Sequence, residues 1–285
     1  MCGVTGAPQV VAHRGASAAE AEHTLAAYRR ALDEGADGLE CDVRLTRDGV
    51  LVCVHDRRID RTSSGRGVVS TLELSDLAEL DFGSWHNGGP DDDPMLTAGW
   101  EAPDWDRRQV LTLERLLEFV ADSDRPIDLA IETKHPTRYA GLVELALVEL
   151  LGRHGLTSPA STSRCRPRVM SFAATSLRRI HSLAPSVPTV HLLRRIPLRL
   201  RDGERPRGVG ALGPSLPALR AHPQFVERVQ DNGGQVHVWT VDDPVDVEFV
   251  AGLGVDVIIT NRPADVRRQL ERPAAGDEAT GATGR

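Results

Sequence analysis

The chain has 285 residues, 40% of them hydrophobic and 26% charged, which suffices for a sizeable core in one large domain or two smaller ones and excludes disorder throughout. A formal net charge of −7 argues against a broad basic surface that neutralises nucleic-acid phosphates, so any anionic ligand has to be met by a local group of cations. With neither an apolar run of 18 residues nor a basic-then-apolar leader pattern, the sequence reads as a soluble cytoplasmic protein.

Short β-rich runs alternate with helical periodicity, the order expected of parallel strands joined by crossover helices. The first unit starts at Gln9-Val10-Val11-Ala12-His13, turns at Gly15, and predicts a helix with Leu25, Tyr28 and Leu32 on one face and Gly35 as its stop. A second strand is expected over 38–43, and further candidates lie at 50–55, 127–133, 168–172, 188–193, 208–213, 235–241 and 256–260. These are nine runs for the eight places of an α/β barrel, so one is wrong or peripheral. Glu34-Gly35-Ala36-Asp37-Gly38-Leu39 and Leu253-Gly254-Val255-Asp256-Val257-Ile258 echo each other as helix end, loop and strand. Such repeats would also suit an open doubly wound sheet, although no GxGxxG follows the first strand.

Residues 57 to about 110 break the rhythm and hold Trp85, Trp100 and Trp105. A structureless loop of that length is unusual, so the segment is expected to be an insertion with its own small packed cluster, projecting from one end of the barrel. The cysteines at 2, 41, 53 and 165 show no CxxC spacing, and those inside apolar strand runs predict buried free thiols. From about Pro273 onward periodicity is lost and a frayed tail is expected, leaving 1–272 as a single domain.

In a parallel barrel the working residues sit at the C-terminal ends of strands. Ionisable groups end apolar runs at His13-Arg14, Glu40-Cys41-Asp42, His55-Asp56, Glu132-Thr133-Lys134 and Trp239-Thr240 with Asp242. Glu40 and Asp42 are two apart, so the period of a strand puts both carboxylates on one face; Glu132 and Lys134 repeat that geometry. Three converging carboxylates repel unless a cation sits among them, and an all-oxygen set suits Mg²⁺ or Ca²⁺ better than zinc. Taken alone, the Glu40/Asp42 pair reads equally well as a salt-bridged strand end. Two histidines near these acids suggest proton transfer, since imidazole titrates near neutral pH. The cations comprise 33 Arg and one Lys, so retention of Lys134 hints at a need for a compact ammonium. With Arg14 it could meet a phosphoryl group that gains charge in its transition state.

The ordered set of motifs resembles the glycerophosphodiester phosphodiesterase family, whose barrel is shared with phosphatidylinositol-specific phospholipases C. The resemblance runs over about residues 9 to 265, through Val11-Ala12-His13-Arg14-Gly15-Ala16, Glu22-His23-Thr24, Gly38-Leu39-Glu40-Cys41-Asp42, Val54-His55-Asp56, Asp60-Arg61-Thr62, Ile131-Glu132-Thr133-Lys134, Val238-Trp239-Thr240 and Ile258-Ile259-Thr260-Asn261-Arg262-Pro263. It implies a (β/α)8 TIM barrel with an insertion after the third strand, shaping the substrate entrance. It further implies His13 and His55 as the general acid–base pair, and Glu40, Asp42 and Glu132 as ligands of one divalent cation, Mg²⁺ or Ca²⁺. Arg14 and Lys134 would contact the phosphate, Glu22 would orient the groups around it, and Trp239 would belong to the substrate site. The implied reaction is hydrolysis of a small-molecule glycerophosphodiester to glycerol 3-phosphate and an alcohol, with attack by the adjacent glycerol hydroxyl through a cyclic phosphate. Two positions depart from the family pattern: His23 replaces the usual asparagine, and Asn261 stands where aspartate is common.

Competing readings are a phospholipase acting on lysophospholipids or phosphoinositides, for which the three tryptophans could supply an apolar rim, and a phosphate-binding barrel without turnover. An amidohydrolase barrel would call for His-x-His near the first strand, which is absent.

Overall fold

The computed structural model describes residues 6–87, 104–134, 141–158, 160 and 162–271. The chain opens with β1 (Gln9–His13), α1 (Leu25–Asp33) and β2 (Gly38–Leu45), and returns as β3 (Leu51–Cys53). Next come α2 (Leu74–Ala78), α3 (Ser84–Asn87), α4 (Trp105–Arg108), α5 (Leu113–Ala121), β4 (Ile127–Thr133), α6 (Leu142–Arg153), β5 (Cys165–Ser171), α7 (Ala174–Leu183) and β6 (Thr189–Leu193). The last part holds β7 (Ala211–Pro214), α8 (Leu216–Ala221), α9 (Phe225–Asp231), β8 (Gln235–Val238), α10 (Pro244–Gly252), β9 (Val257–Thr260) and α11 (Pro263–Leu270).

Strand order β1-β9-β8-β7-β6-β5-β4-β2 with a β1–β2 pairing closes a parallel TIM barrel. The surplus run is 50–55: β3 pairs antiparallel with the end of β2, Val43 against Cys53 and Leu45 against Leu51, and stays outside the closed ring. Helices form where the apolar stripe and a cap coincide. Thr24 accepts a hydrogen bond from Ala27 N at the start of α1, which buries Leu25 and Tyr28, and Gly35 beyond its end has φ +81°. Thr112 caps α5 in the same way, and its buried face carries Leu113, Leu116, Leu117 and Val120.

Inside the ring, alternation sorts the side chains into layers. A middle layer of Val11, Ala130, Met170, Val190, Ala211 and Ile259 is apolar. Towards the strand N-termini, Arg168 Nη2 lies 3.1 Å from Asp128 Oδ2 and Arg168 Nη1 lies 3.3 Å from His237 Nε2. Towards the C-termini the next inward residues are His13, Glu40 and Glu132. The two echoing junctions do the same work: Asp37 Oδ2 accepts from Val10 N, and Asp256 Oδ2 from Val236 N, each at 2.8 Å. Each aspartate satisfies a backbone donor near the start of a neighbouring strand.

The region after β3 does have a small core, but an aliphatic one: Val52, Val54, Ile59, Val69 and Leu77 with Phe82. Trp85 instead lies under Arg61, 5.8 Å from guanidinium to ring, Trp105 is 58% exposed, and Trp100 falls outside the described residues, as does the expected tail from Pro273. Cys41, Cys53 and Cys165 are buried free thiols. Among the described residues no helix is long and apolar enough to cross a membrane.

Gly15 sits at φ +84° directly after the first barrel strand, and a Cβ there would meet the Ala27 backbone at 2.6 Å. Gly49 has φ +86° with open space around it. Gly15→Ala should therefore lower unfolding free energy by about 2–4 kcal/mol, against about 1 kcal/mol for Gly49→Ala, read from urea denaturation. Equal losses at the two positions would contradict the close approach of α1 to the first loop.

Candidate active site

Register brings the acids together. In the parallel pairs His13 lies opposite Glu40, and Asp42 opposite Glu132. Glu40, Asp42 and Glu132 are all buried and offer carboxylate oxygens within 4.8 Å of one another. Lys134 puts its Nζ 2.6 Å from Glu132 Oε1 and 2.9 Å from Asp42 Oδ1. On the other side Asp42 Oδ2 meets Arg14 Nε at 3.1 Å and His23 Nε2 at 3.0 Å.

These contacts divide the acids. Burial disfavours the charge on Asp42, but the His23 hydrogen bond and the Lys134 and Arg14 charges outweigh it and hold the group well below the carboxylate range. Its negative charge then adds to burial at its neighbours: Glu40 is raised well above its ordinary value, and Glu132 is pushed up to about 7 against the pull of Lys134. Asp42 Oδ1, though buried, lacks a well-aligned hydrogen bond. A dry, all-oxygen cluster with an under-satisfied carboxylate and two protonatable ones fits a hard divalent cation.

Both histidines line the same pocket as Glu40 and Glu132. His13 Nδ1 lies 2.7 Å from Asn261 Oδ1, and Asn261 Nδ2 donates to Asp242 Oδ2 at 2.6 Å, so the amide oxygen faces the ring and the proton sits on Nδ1. Nε2 is left free, 4.0 Å from Glu40 Oε2. Burial, with the Arg14 charge, brings His13 down to about 4. His55 is oriented by Asp56, whose Oδ1 accepts from Nδ1 at 2.8 Å, and burial lowers it too, with Arg14 and Lys134 lowering it further and Asp42 and Asp56 opposing. A carboxylate behind His55 and an amide behind His13 make the pair electrically unequal, since the former favours an imidazolium with a full charge and the latter with a dipole alone.

His55 does not reach the mouth by ending a barrel strand, as the sequence implied. The β2–β3 ribbon folds back until Val54 N donates to Asp42 O at 3.0 Å, and Arg44 donates to His55 O at 2.6 and 3.0 Å. A pocket of about 140 Å³ then joins His13, Arg14, Glu40, His55, Glu132 and Lys134 on one wall. The opposite wall includes Phe172, Arg194 and Trp239, whose Nε1 donates to Gly213 O at 2.7 Å. Glu22 stands behind the pocket: Arg14 Nη1 reaches it at 3.1 Å and Arg61 grips both its oxygens at 2.7 and 2.9 Å, while Arg61 Nε holds Asp56 at 2.6 Å. Every expected site residue is thus in or next to one pocket. Sequence reasoning gave no role to Arg44, Asp56, Arg61, Phe172 or Arg194. Arg44 was the findable one, since it continues the i, i+2 series of Glu40 and Asp42.

A family model described as the glycerophosphoryl diester phosphodiesterase family matches residues 13–265. The chain belongs to that family of enzymes. Among relatives of this phosphodiesterase, a Mycobacterium tuberculosis protein named "Probable glycerophosphodiester phosphodiesterase 1" is 50% identical over 270 residues, covering 94% of both chains. The Bacillus subtilis glycerophosphodiester phosphodiesterase is 33% identical over 89% of this chain and 83% of its own. The fold is also that of an Oleispira antarctica phosphodiesterase solved with the product sn-glycerol-3-phosphate, with TM-score 0.76 at 23% identity, covering 93% of this chain and 98% of that one. The two departures of this phosphodiesterase from the family pattern are both accommodated. His23, at φ +64°, turns inward to Asp42 and to Tyr28 Oη at 2.8 Å, leaving Glu22 to the arginines, and Asn261 becomes the His13 partner.

Binding of a divalent cation to this cluster competes with protons, since Glu132 is pushed up to about 7 and Glu40 is raised as well. Calorimetric titration with Mg²⁺ or Ca²⁺ at pH 7 in buffers of different ionisation enthalpy should read net proton release, smaller in Glu132→Gln, with affinity at least about tenfold weaker. Binding without proton release, unchanged by Glu132→Gln, would place the cation elsewhere.

Proposed function

We propose that the chain hydrolyses glycerophosphodiesters to glycerol 3-phosphate and an alcohol, with His13 and His55 sharing the proton transfers. The observation that carries this reading is the convergence of both imidazoles, three carboxylates, Arg14 and Lys134 on one small pocket. The 50% identity to a glycerophosphodiester phosphodiesterase over nearly the whole chain supports the substrate class.

Glu40, Asp42 and Glu132 would hold Mg²⁺ or Ca²⁺, which when bound supplies positive charge to the phosphoryl oxygens. Arg14 and Lys134 flank the same volume and add donors where phosphoryl charge grows. One histidine takes the proton of the attacking oxygen, from the neighbouring glycerol hydroxyl or a water. The phosphorus–oxygen bond to the alcohol breaks, and the other histidine returns a proton to the departing oxygen. On the hydroxyl route a water then attacks the cyclic phosphate, giving a proton to one histidine while the other protonates the released glycerol oxygen, which leaves glycerol 3-phosphate. Glu22, through Arg14 and Arg61, keeps these cations in position. Trp239 walls the substrate volume. Three buried free thiols suit a reducing, cytoplasmic setting.

A coupled assay for glycerol 3-phosphate should show turnover that is lost on chelation and restored by metal. His13→Ala and His55→Ala should each lower kcat by about 10²–10⁴-fold with the thermal midpoint within a few degrees of the parent. Near-parental turnover in either variant would remove that histidine from the mechanism. Metal-tight ligand binding with no ester cleavage would favour the binding-barrel reading.

A further inference from the structure

The phosphate and the glycerol arm are common to every glycerophosphodiester; the second alcohol varies, above all in charge. The wall opposite the carboxylates is built from Met170, Phe172, Leu192, Trp239 and Ile259, and Arg194 is the charged side chain on it. Arg194 directly follows β6, its main-chain carbonyl held by Ser215 Oγ at 3.0 Å. Unlike Arg14 and Lys134, it has no carboxylate partner within ion-pair distance among the described residues.

Phe172 and Trp239 stand edge to face, 5.4 Å apart at 88°. Two rings set nearly perpendicular form half of the kind of cage that takes a quaternary ammonium. Here the Phe172 ring already has the Arg194 guanidinium 5.2 Å from its centroid. A cationic alcohol entering this corner would meet a fixed like charge and an occupied ring, whereas an anionic one would meet an unpaired partner.

Resting on the function proposed above, we infer that Arg194 is a specificity-determining residue that selects neutral and anionic leaving alcohols over cationic ones. Its side chain is partly solvated, so the discrimination is on the order of tenfold between unlike charges and weakens as salt screens it.

The test compares kcat/KM for glycerophosphocholine, glycerophosphoglycerol and glycerophosphoinositol 4-phosphate at low and high ionic strength, in the parent and in Arg194→Lys, Arg194→Gln and Arg194→Glu. Taking each substrate as its own reference cancels differences of size. The anionic-to-cationic ratio should be retained in Arg194→Lys, fall about tenfold in Arg194→Gln and further in Arg194→Glu, and the parent's ratio should shrink at high salt. Equal losses on all three substrates, or a parent ratio indifferent to salt, would overturn the inference while leaving the hydrolytic function standing. Failure of the parent to cleave any of the three would overturn both. The parent's salt dependence decides the matter even where a variant does not fold.

Discussion

Three carboxylates placed within 4.8 Å of one another in a dry volume repel strongly, and the surrounding architecture is the answer to that repulsion. Asp42 alone receives enough positive charge to stay ionised, from Lys134, Arg14 and the His23 hydrogen bond. Burial and the charge of Asp42 raise both neighbours, so a cation arriving there would compete with protons. The result is a preorganised negative centre lined by positive donors, which is what a reaction that gathers charge on phosphoryl oxygens needs. The electrostatic conflict is confined to the mouth of the barrel, above an apolar layer that excludes water from below.

Placement of the second histidine depends on leaving the barrel pattern. If the 50–55 run had taken a place in the ring, the chain after it would have emerged between two parallel strands, away from Asp42. Folding back as a ribbon, it delivers His55 to the same level as the acids, with Arg44 gripping its carbonyl and Asp56 its ring. Asp56, Arg61 and Glu22 then couple the insertion to the first barrel loop, so His55 and Arg14 are held by one chain of ion pairs.

Much of this was legible in the residues. Alternation placed Glu40 with Asp42, the helix carrying Leu25 and Tyr28 stopped before Gly35, and both Asp-containing junctions behaved alike. What escaped sequence reading has physical causes. Leu51-Val52-Cys53 is too short and too uniformly apolar for a period to reveal its direction. The cluster expected in the insertion is built from small aliphatic side chains with Phe82, which no single large residue marks in the sequence. Arg61 reaches Glu22 and Arg194 lies over Phe172, both well separated in sequence, so no local spacing marks these two among 33 arginines. Lys134 stood out because it was alone.

The hydrogen bond between His13 and Asn261 joins residues 248 positions apart. During vectorial synthesis the imidazole therefore emerges before its orienting amide by nearly the whole length of the barrel. A nascent chain can gather its acids and its ribbon beforehand, but the imidazole at position 13 acquires a fixed tautomer only when the final strand docks. An incomplete ring would leave that imidazole without the partner that orients it.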